Sequence, residues 1–359
     1  MTHVPADLLR RQTAAILTSW GLPAEPVEAT AYVLNEADLR GVDSHGVSML
    51  TLYDDYRRTQ KMTLRPEVRV VRESPVTALL DGDGGLGHCP GLRAMDLAIT
   101  KCAATGVGVV GVRNSNHYGA AGVYALRAVA RGFIGISTTA TWRPAIVPTF
   151  GAQAMLGTNP IAFAAPTRRN LPFCLDMATS TVALNKVKLA ALVGKPILPG
   201  WALDGVGHSV TDPSVAMQHI ALTPLGGSPE MGSHKGYGLA AMVEILSTIL
   251  TGAAFAPSRA ASRPDAARYD VGHFFMALDP RAFRDESDFE NDLDAMIDAL
   301  HATRRADANQ PVLIPGEPEE HCRAERLRTG IPVADELVAK LRAIAQSTGA
   351  EWVLSETIQ

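Results

Sequence analysis

Two imidazoles, each flanked by a hydroxyl or amide side chain and by glycines, are the residues of this sequence best suited to chemistry. His45 lies in Arg40-Gly41-Val42-Asp43-Ser44-His45-Gly46-Val47-Ser48-Met49-Leu50. His117 lies in Val112-Arg113-Asn114-Ser115-Asn116-His117-Tyr118-Gly119-Ala120-Ala121-Gly122. An imidazole exchanges a proton near neutral pH, where few other side chains can. Three further polar segments follow: Gly157-Thr158-Asn159-Pro160, Asp176-Met177-Ala178-Thr179-Ser180 and Gly232-Ser233-His234-Lys235-Gly236. The last opens a long helix, where a cation and free backbone N–H groups together suit phosphate. The histidines lack zinc-ligand spacing, so no metal is expected.

These side chains need elements to position them. Residues 5–20 and 25–40 carry apolar side chains at helical spacing, divided by Gly21-Leu22-Pro23. Residues 68–80 read as a strand and 92–104 as a helix. Residues 107–112 and 133–136 read as short apolar strands, with a helix from about 120 to 130 between them. A helix over 237–252, a loop over Gly252–Asp270 and a strand over 271–278 come next, then a helix-rich tail from 285 to 359. This alternation argues for an α/β sheet domain.

Gly82-Asp83-Gly84-Gly85-Leu86-Gly87 matches G-x-G-x-x-G. A dinucleotide fingerprint also needs an acid about 20 residues on, and after Asp96 the next acid is Asp176. The segment therefore reads as a tight turn feeding a helix. From Leu97 to Leu175 there is no Asp or Glu, while Lys101, Arg113, Arg127, Arg131, Arg143, Arg168 and Arg169 all fall there. One sign of charge favours an anionic ligand.

The chain has 359 residues, 47% of them hydrophobic, and a formal net charge of −4. No run of Lys or Arg points to nucleic acid or a membrane surface. No segment holds the roughly 18 apolar residues of a membrane span, and the N-terminus lacks a signal-peptide pattern. Cys89, Cys102, Cys174 and Cys322 are scattered and read as ordinary thiols of a reducing cytoplasm.

Taken together and in this order, the motifs resemble the malate/L-lactate dehydrogenase family that lies apart from the Rossmann-type enzymes. Ureidoglycolate dehydrogenase, sulfolactate dehydrogenase, diketogulonate reductase and piperideine/pyrroline-2-carboxylate reductase look like relatives. The resemblance extends through Gly200-Trp201-Ala202-Leu203-Asp204, Val271-Gly272-His273-Phe274-Phe275 and Pro315-Gly316-Glu317-Pro318 to Arg323-Ala324-Glu325-Arg326-Leu327-Arg328. It implies an α/β fold: a non-Rossmann, mixed-sheet cofactor domain (76–279) packed on a helical domain built from both chain ends (1–75 plus 280–359). It implies an NAD(P)-dependent oxidoreductase of the cytoplasm, acting as a homodimer on a small-molecule substrate. The hydride would pass between nicotinamide and a 2-hydroxy or 2-keto acid. A cyclic or N-alkyl imine reductase is the alternative enzyme, and a catalytically silent cofactor-binding protein the alternative outside enzymes.

The same resemblance assigns roles. His45 and His117 match proton-transfer histidines, with Ser44 and Asn116 orienting them or holding the substrate oxygen. Thr141, Asp176, Met177, Ala178, Thr179, Ser180, His234, Lys235, Glu317 and Pro318 fall in cofactor-binding segments. Ser48, Met49, Tyr53, Arg143, Thr158 and Asn159 fall where substrate would lie. Two departures stand out. Relatives carry Arg four residues after the first histidine, where it clamps a carboxylate; here Met49 offers no hydrogen bond. Arg143 is the expected replacement, with Trp142 and Met49 making the pocket more apolar. Leu184-Asn185 stand where relatives often have Arg-Gly, which favours NAD over NADP.

Overall fold

A computed structural model describes residues 1–258 and 268–354. The chain opens with β1 (Thr2–Val4), α1 (Ala6–Ser19) and α2 (Ala24–Leu39). Two 3₁₀ turns, Asp43–His45 and Val47–Met49, lead into α3 (Leu50–Arg58). Then come β2 (Arg69–Glu73), β3 (Thr77–Asp81), α4 (His88–Thr105), β4 (Val107–Ser115) and α5 (Gly122–Val129). Strands β5 (Ile134–Thr139), β6 (Ile161–Ala165) and β7 (Phe173–Met177) follow. Next are α6 (Leu184–Leu192), β8 (Ala202–Leu203), β9 (Ser209–Val210) and α7 (Pro213–His219). Helix α8 (Ser233–Glu244) runs on as a π-helical segment, Ile245–Ile249, before β10 (Val271–Leu278). Helices α9 (Asp288–His301) and α10 (Glu317–Thr329), strand β11 (Ile331–Val333) and α11 (Asp335–Thr348) complete the chain.

The main sheet has seven strands in the order β2-β3-β4-β10-β5-β6-β7. Only β3 and β4 pair in parallel; every other neighbouring pair is antiparallel. This is the mixed sheet expected, and it is not the doubly wound parallel one. Helices α4 and α5 lie on one face, and glycine sets how closely they approach. A Cβ at Gly108 of β4 would fall 2.0 Å from the Ala98 carbonyl, and one at Gly135 of β5 would fall 2.3 Å from that of Ala125. The buried side chains between them, among them Met95, Val110, Val112, Tyr124 and Phe275, form one core.

A second core joins the two ends of the chain. Leu9, Ile16 and Leu17 of α1 and Leu34 of α2 pack with Leu50 and Tyr53 of α3 and with Ile331, Leu341 and Ile344 near the C-terminus. Strand β1 pairs antiparallel with β11, and the Val353 amide donates to Gln12. Helix α9 is tied elsewhere: the buried Asp294 accepts from the amides of Arg168, Arg169 and Asn170 in the β6–β7 turn.

Some expected elements shift. The strand read over 68–80 is a hairpin, because Ser74-Pro75 turns the chain: the Ser74 amide donates to the Thr77 carbonyl and proline has no amide to extend a ladder. The helix read from 237 begins four residues earlier, after Gly232 adopts φ +91°. The loop Gly252–Asp270 falls partly outside the described residues. No helix among those described is long and apolar enough to cross a membrane.

Candidate active site

The turn that carries His45 is pinned from two sides. The Asp38 carboxylate accepts the Val47 amide at 2.8 Å. It fills the space a side chain at Gly46 would need, since a Cβ there would lie 1.6 Å from Asp38 Oδ1. Burial is the main cause that pushes the Asp38 carboxyl up, to about 8, helped by the nearby Asp43 charge. Asp43 is itself held by Arg326 of α10. Ser44 Oγ stands 2.9 Å from His45 Nδ1.

The loop after β4 brings the second imidazole to the first. Asn116 is buried and acts as a bracket: its Oδ1 accepts the His117 amide at 2.9 Å and its Nδ2 donates to the Lys61 carbonyl at 3.0 Å. The His45 and His117 rings stack with centroids 5.5 Å apart and planes 24° apart. The Tyr53 hydroxyl lies 2.7 Å from His117 Nδ1. Burial lowers both imidazoles from their ordinary values, and for His117 the neighbouring His45, His88 and His273 lower it further. Two adjacent rings of this kind do not both hold a positive charge.

His45 lies on the wall of a cavity of about 770 Å³, with His117 stacked on it. Ser44, His45, Thr141, Trp142, Arg143 and Thr158 lie on its wall, as do Asp176, Met177, Ala178 and Pro318. The loop entering α5 contributes Gly119, Ala120, Ala121 and Gly122, which carry no side chain larger than a methyl group. The Gly122 amide donates to Asp176 at 2.7 Å. Burial raises the Asp176 carboxyl to about 6, and Glu319 adds to the rise. Leu126, Leu175, Leu184 and Ile220 form apolar wall.

Other expected residues turn away. Ser48 donates to the Asp43 carbonyl, and Met49 packs against the core of the chain ends. Asn159 is fully buried and donates to Glu244 and to the Ala240 carbonyl, anchoring α8. Thr179 and Ser180 are buried and bond to nearby carbonyls. Glu317 points inward, accepting the Ile314 amide at 2.8 Å and pairing with His301 at 2.8 Å. His234 and Lys235 are exposed at the start of α8, outside the cavity lining.

The acid-free stretch is neutralised from outside itself. Lys101 pairs with Glu73, Arg113 with Asp81, Arg127 with Asp96 and Arg169 with Asp298. Of its seven cations only Arg143 reaches the cavity wall. Sequence reasoning missed Arg40, Glu319 and Glu320 on that wall, and His88 behind Tyr53.

The profile of the malate/L-lactate dehydrogenase family matches residues 4–342. The chain belongs to the malate/L-lactate dehydrogenase family. It is 43% identical to a malate dehydrogenase of Pyrococcus horikoshii over 350 residues, 97% of this chain and 96% of that one. It is 37% identical to an L-sulfolactate dehydrogenase of Methanocaldococcus jannaschii over 335 residues, 93% and 94% of the two chains. The crystal structure of malate dehydrogenase from Entamoeba histolytica superposes with a TM-score of 0.93 at 31% identity, covering 98% of this chain and 99% of that one. As a member of this dehydrogenase family, the protein is an oxidoreductase, and membership implies a nicotinamide cofactor. The cavity suits one: it is large, mainly apolar, and lined by the small residues 119–122.

Proposed function

We propose that this dehydrogenase interconverts a 2-hydroxy acid and a 2-keto acid with NAD, as a cytoplasmic homodimer. The observation that carries the reading is His45, stacked on His117, on the same cavity wall as Arg143. The cofactor, when bound, supplies or accepts the hydride. The protein supplies the rest. Arg143 has no acid partner among the described residues and is free to take the substrate carboxylate by a two-point hydrogen bond. As the substrate carbonyl oxygen gains charge, one of the paired imidazoles delivers the proton, and takes it back in the reverse direction. Ser44 orients His45 through Nδ1, and Trp142 beside Arg143 excludes water from the reacting end.

Charge supports a preference for NAD. Asp176, Glu319 and Glu320 line the cavity and would repel an additional phosphate. Arg40, the other cation on the wall, is already taken by Glu36 and Glu320. A homodimer is supported by the exposed apolar side chains of Ile245, Ile249 and Leu250, which are 56%, 63% and 62% accessible on one helical segment. The cytoplasm is supported by the four free thiols.

Initial rates with NADH and with NADPH, measured against oxaloacetate, pyruvate, sulfopyruvate and piperideine-2-carboxylate, test the proposal. A 2-keto acid with NADH is expected to give the highest kcat/KM. A cyclic imine as the best substrate, or no turnover with any of them, overturns it.

A further inference from the structure

The glycine turn 82–87 is built onto the His117 loop. The amides of Gly82, Gly84 and Gly87 donate to the carbonyls of Arg113, Asn114 and His117 at 2.9, 2.7 and 2.9 Å. A Cβ at Gly87 would lie 2.5 Å from the Asn116 carbonyl oxygen and 2.7 Å from Tyr118 Cβ, so the two loops touch through bare backbone. The turn delivers His88 as the first residue of α4, fully buried. His88 Nε2 is 3.3 Å from the Tyr53 hydroxyl, and His88 Nδ1 is 3.3 Å from Thr30 Oγ1.

The directions of these hydrogen bonds follow from one donor. The Gly119 amide can only donate, and it lies 3.3 Å from His117 Nδ1. That nitrogen is therefore the bare one of a neutral ring. The Tyr53 hydroxyl must donate to it as well, which leaves the phenol oxygen to accept. The donor in reach is His88 Nε2–H, and His88 Nδ1 then accepts from Thr30. One line of donors runs from Thr30 through His88 and Tyr53 to His117. It ends on His117 Nε2–H, which has no hydrogen bond to protein among the described residues.

We propose that His88 is a positioning residue that, through Tyr53, holds neutral His117 with its proton on Nε2, as a fixed hydrogen-bond donor toward the reacting oxygen. Burial keeps His88 neutral, pushing it down to about 3, so the line does not reverse by protonation near neutral pH. The nitrogen that carries the proton is set by what the other nitrogen accepts. His45, with Nδ1 beside Ser44 and its ring on the cavity wall, is left as the imidazole that exchanges the proton. This inference rests on His117 being a site residue, as proposed above.

¹⁵N NMR of the histidine-labelled protein near neutral pH tests it without reference to turnover. His117 and His88, each assigned by its loss in a His→Gln variant, are expected to show a bare Nδ1 and a protonated Nε2. A protonated Nδ1 on His117 overturns the proposal, whatever the enzyme reduces. Kinetics supply a second arm. His88→Leu is expected to lower kcat about tenfold and to leave the cofactor KM within about twofold. His88→Gln, which still offers a donor to Tyr53, is expected to recover most of that loss. In a Tyr53→Phe background His88→Leu should cost nothing more; an equal loss in both backgrounds would mean that His88 acts by packing alone, and the proposal fails.

Discussion

Arg143 and Met49 show how differently two neighbours of one site can be read. Arg143 stands exposed on the cavity wall with no acid partner among the described residues, whereas Arg40 on the same wall is shared by Glu36 and Glu320. Arg143→Ala is therefore expected to lower kcat/KM for the keto acid roughly 30-fold or more, mostly through KM, while Arg143→Lys recovers part of it. Steady-state kinetics on both variants check this; an unchanged KM in Arg143→Ala would refute it. Met49 is instead half-buried against the core of the chain ends, so its contribution is packing. Ser44, His45, Thr141, Thr158 and Asp176, expected from glycine-bounded polar segments and from the family resemblance, all lie on the cavity wall. The Glu317 carboxylate, expected at the cofactor, accepts the Ile314 amide and pairs with His301. His88 was illegible, since a histidine at a helix start says nothing until the fold sets Tyr53 against it.

Elements were legible where periodicity is strong and blurred where a turn or glycine decides the boundary. Helices α1 and α2 fall within a residue of their expected limits, because their apolar residues repeat over several turns. The β2–β3 hairpin was hidden because both strands alternate in the same way and only Ser74-Pro75 divides them. The junction of α2 with the His45 turn carries a prediction of its own. The folded chain keeps a proton on Asp38 up to about pH 8, whereas an ordinary aspartate releases it near 3.8. Between those values the folded state binds more protons than the unfolded one, so stability falls as pH rises and levels off above about 8. Asp38→Asn keeps an oxygen for the Val47 amide but cannot ionise. Its Tm is expected to vary less with pH than that of the parent between pH 5 and 8, and to exceed it at the upper end. Parallel Tm curves for the two proteins would overturn this.

At the scale of the molecule, the two chain ends and the exposed π-helical segment decide behaviour. Light scattering coupled to size exclusion is expected to give a dimer mass, and Ile245→Lys with Ile249→Lys a monomer that still folds. A monomeric parent would end the homodimer proposal. A chain truncated after Val333 loses the buried Val338, Leu341, Ile344 and Ala345 of α11. It is expected to be insoluble or to melt far below the parent, as differential scanning fluorimetry would show, because α1 loses the surface it packs on. The pairing of β1 with β11 also has a consequence for synthesis. Helices α1 and α2 are synthesised well before β11 and α11, the strand and helix that pack with them. Their apolar faces stay open until the intervening residues have been made, and closing them takes contacts between residues far apart in the chain. The packing of α1 and α2 is thus completed only after α11 has been made, and until then their apolar faces are open to a chaperone.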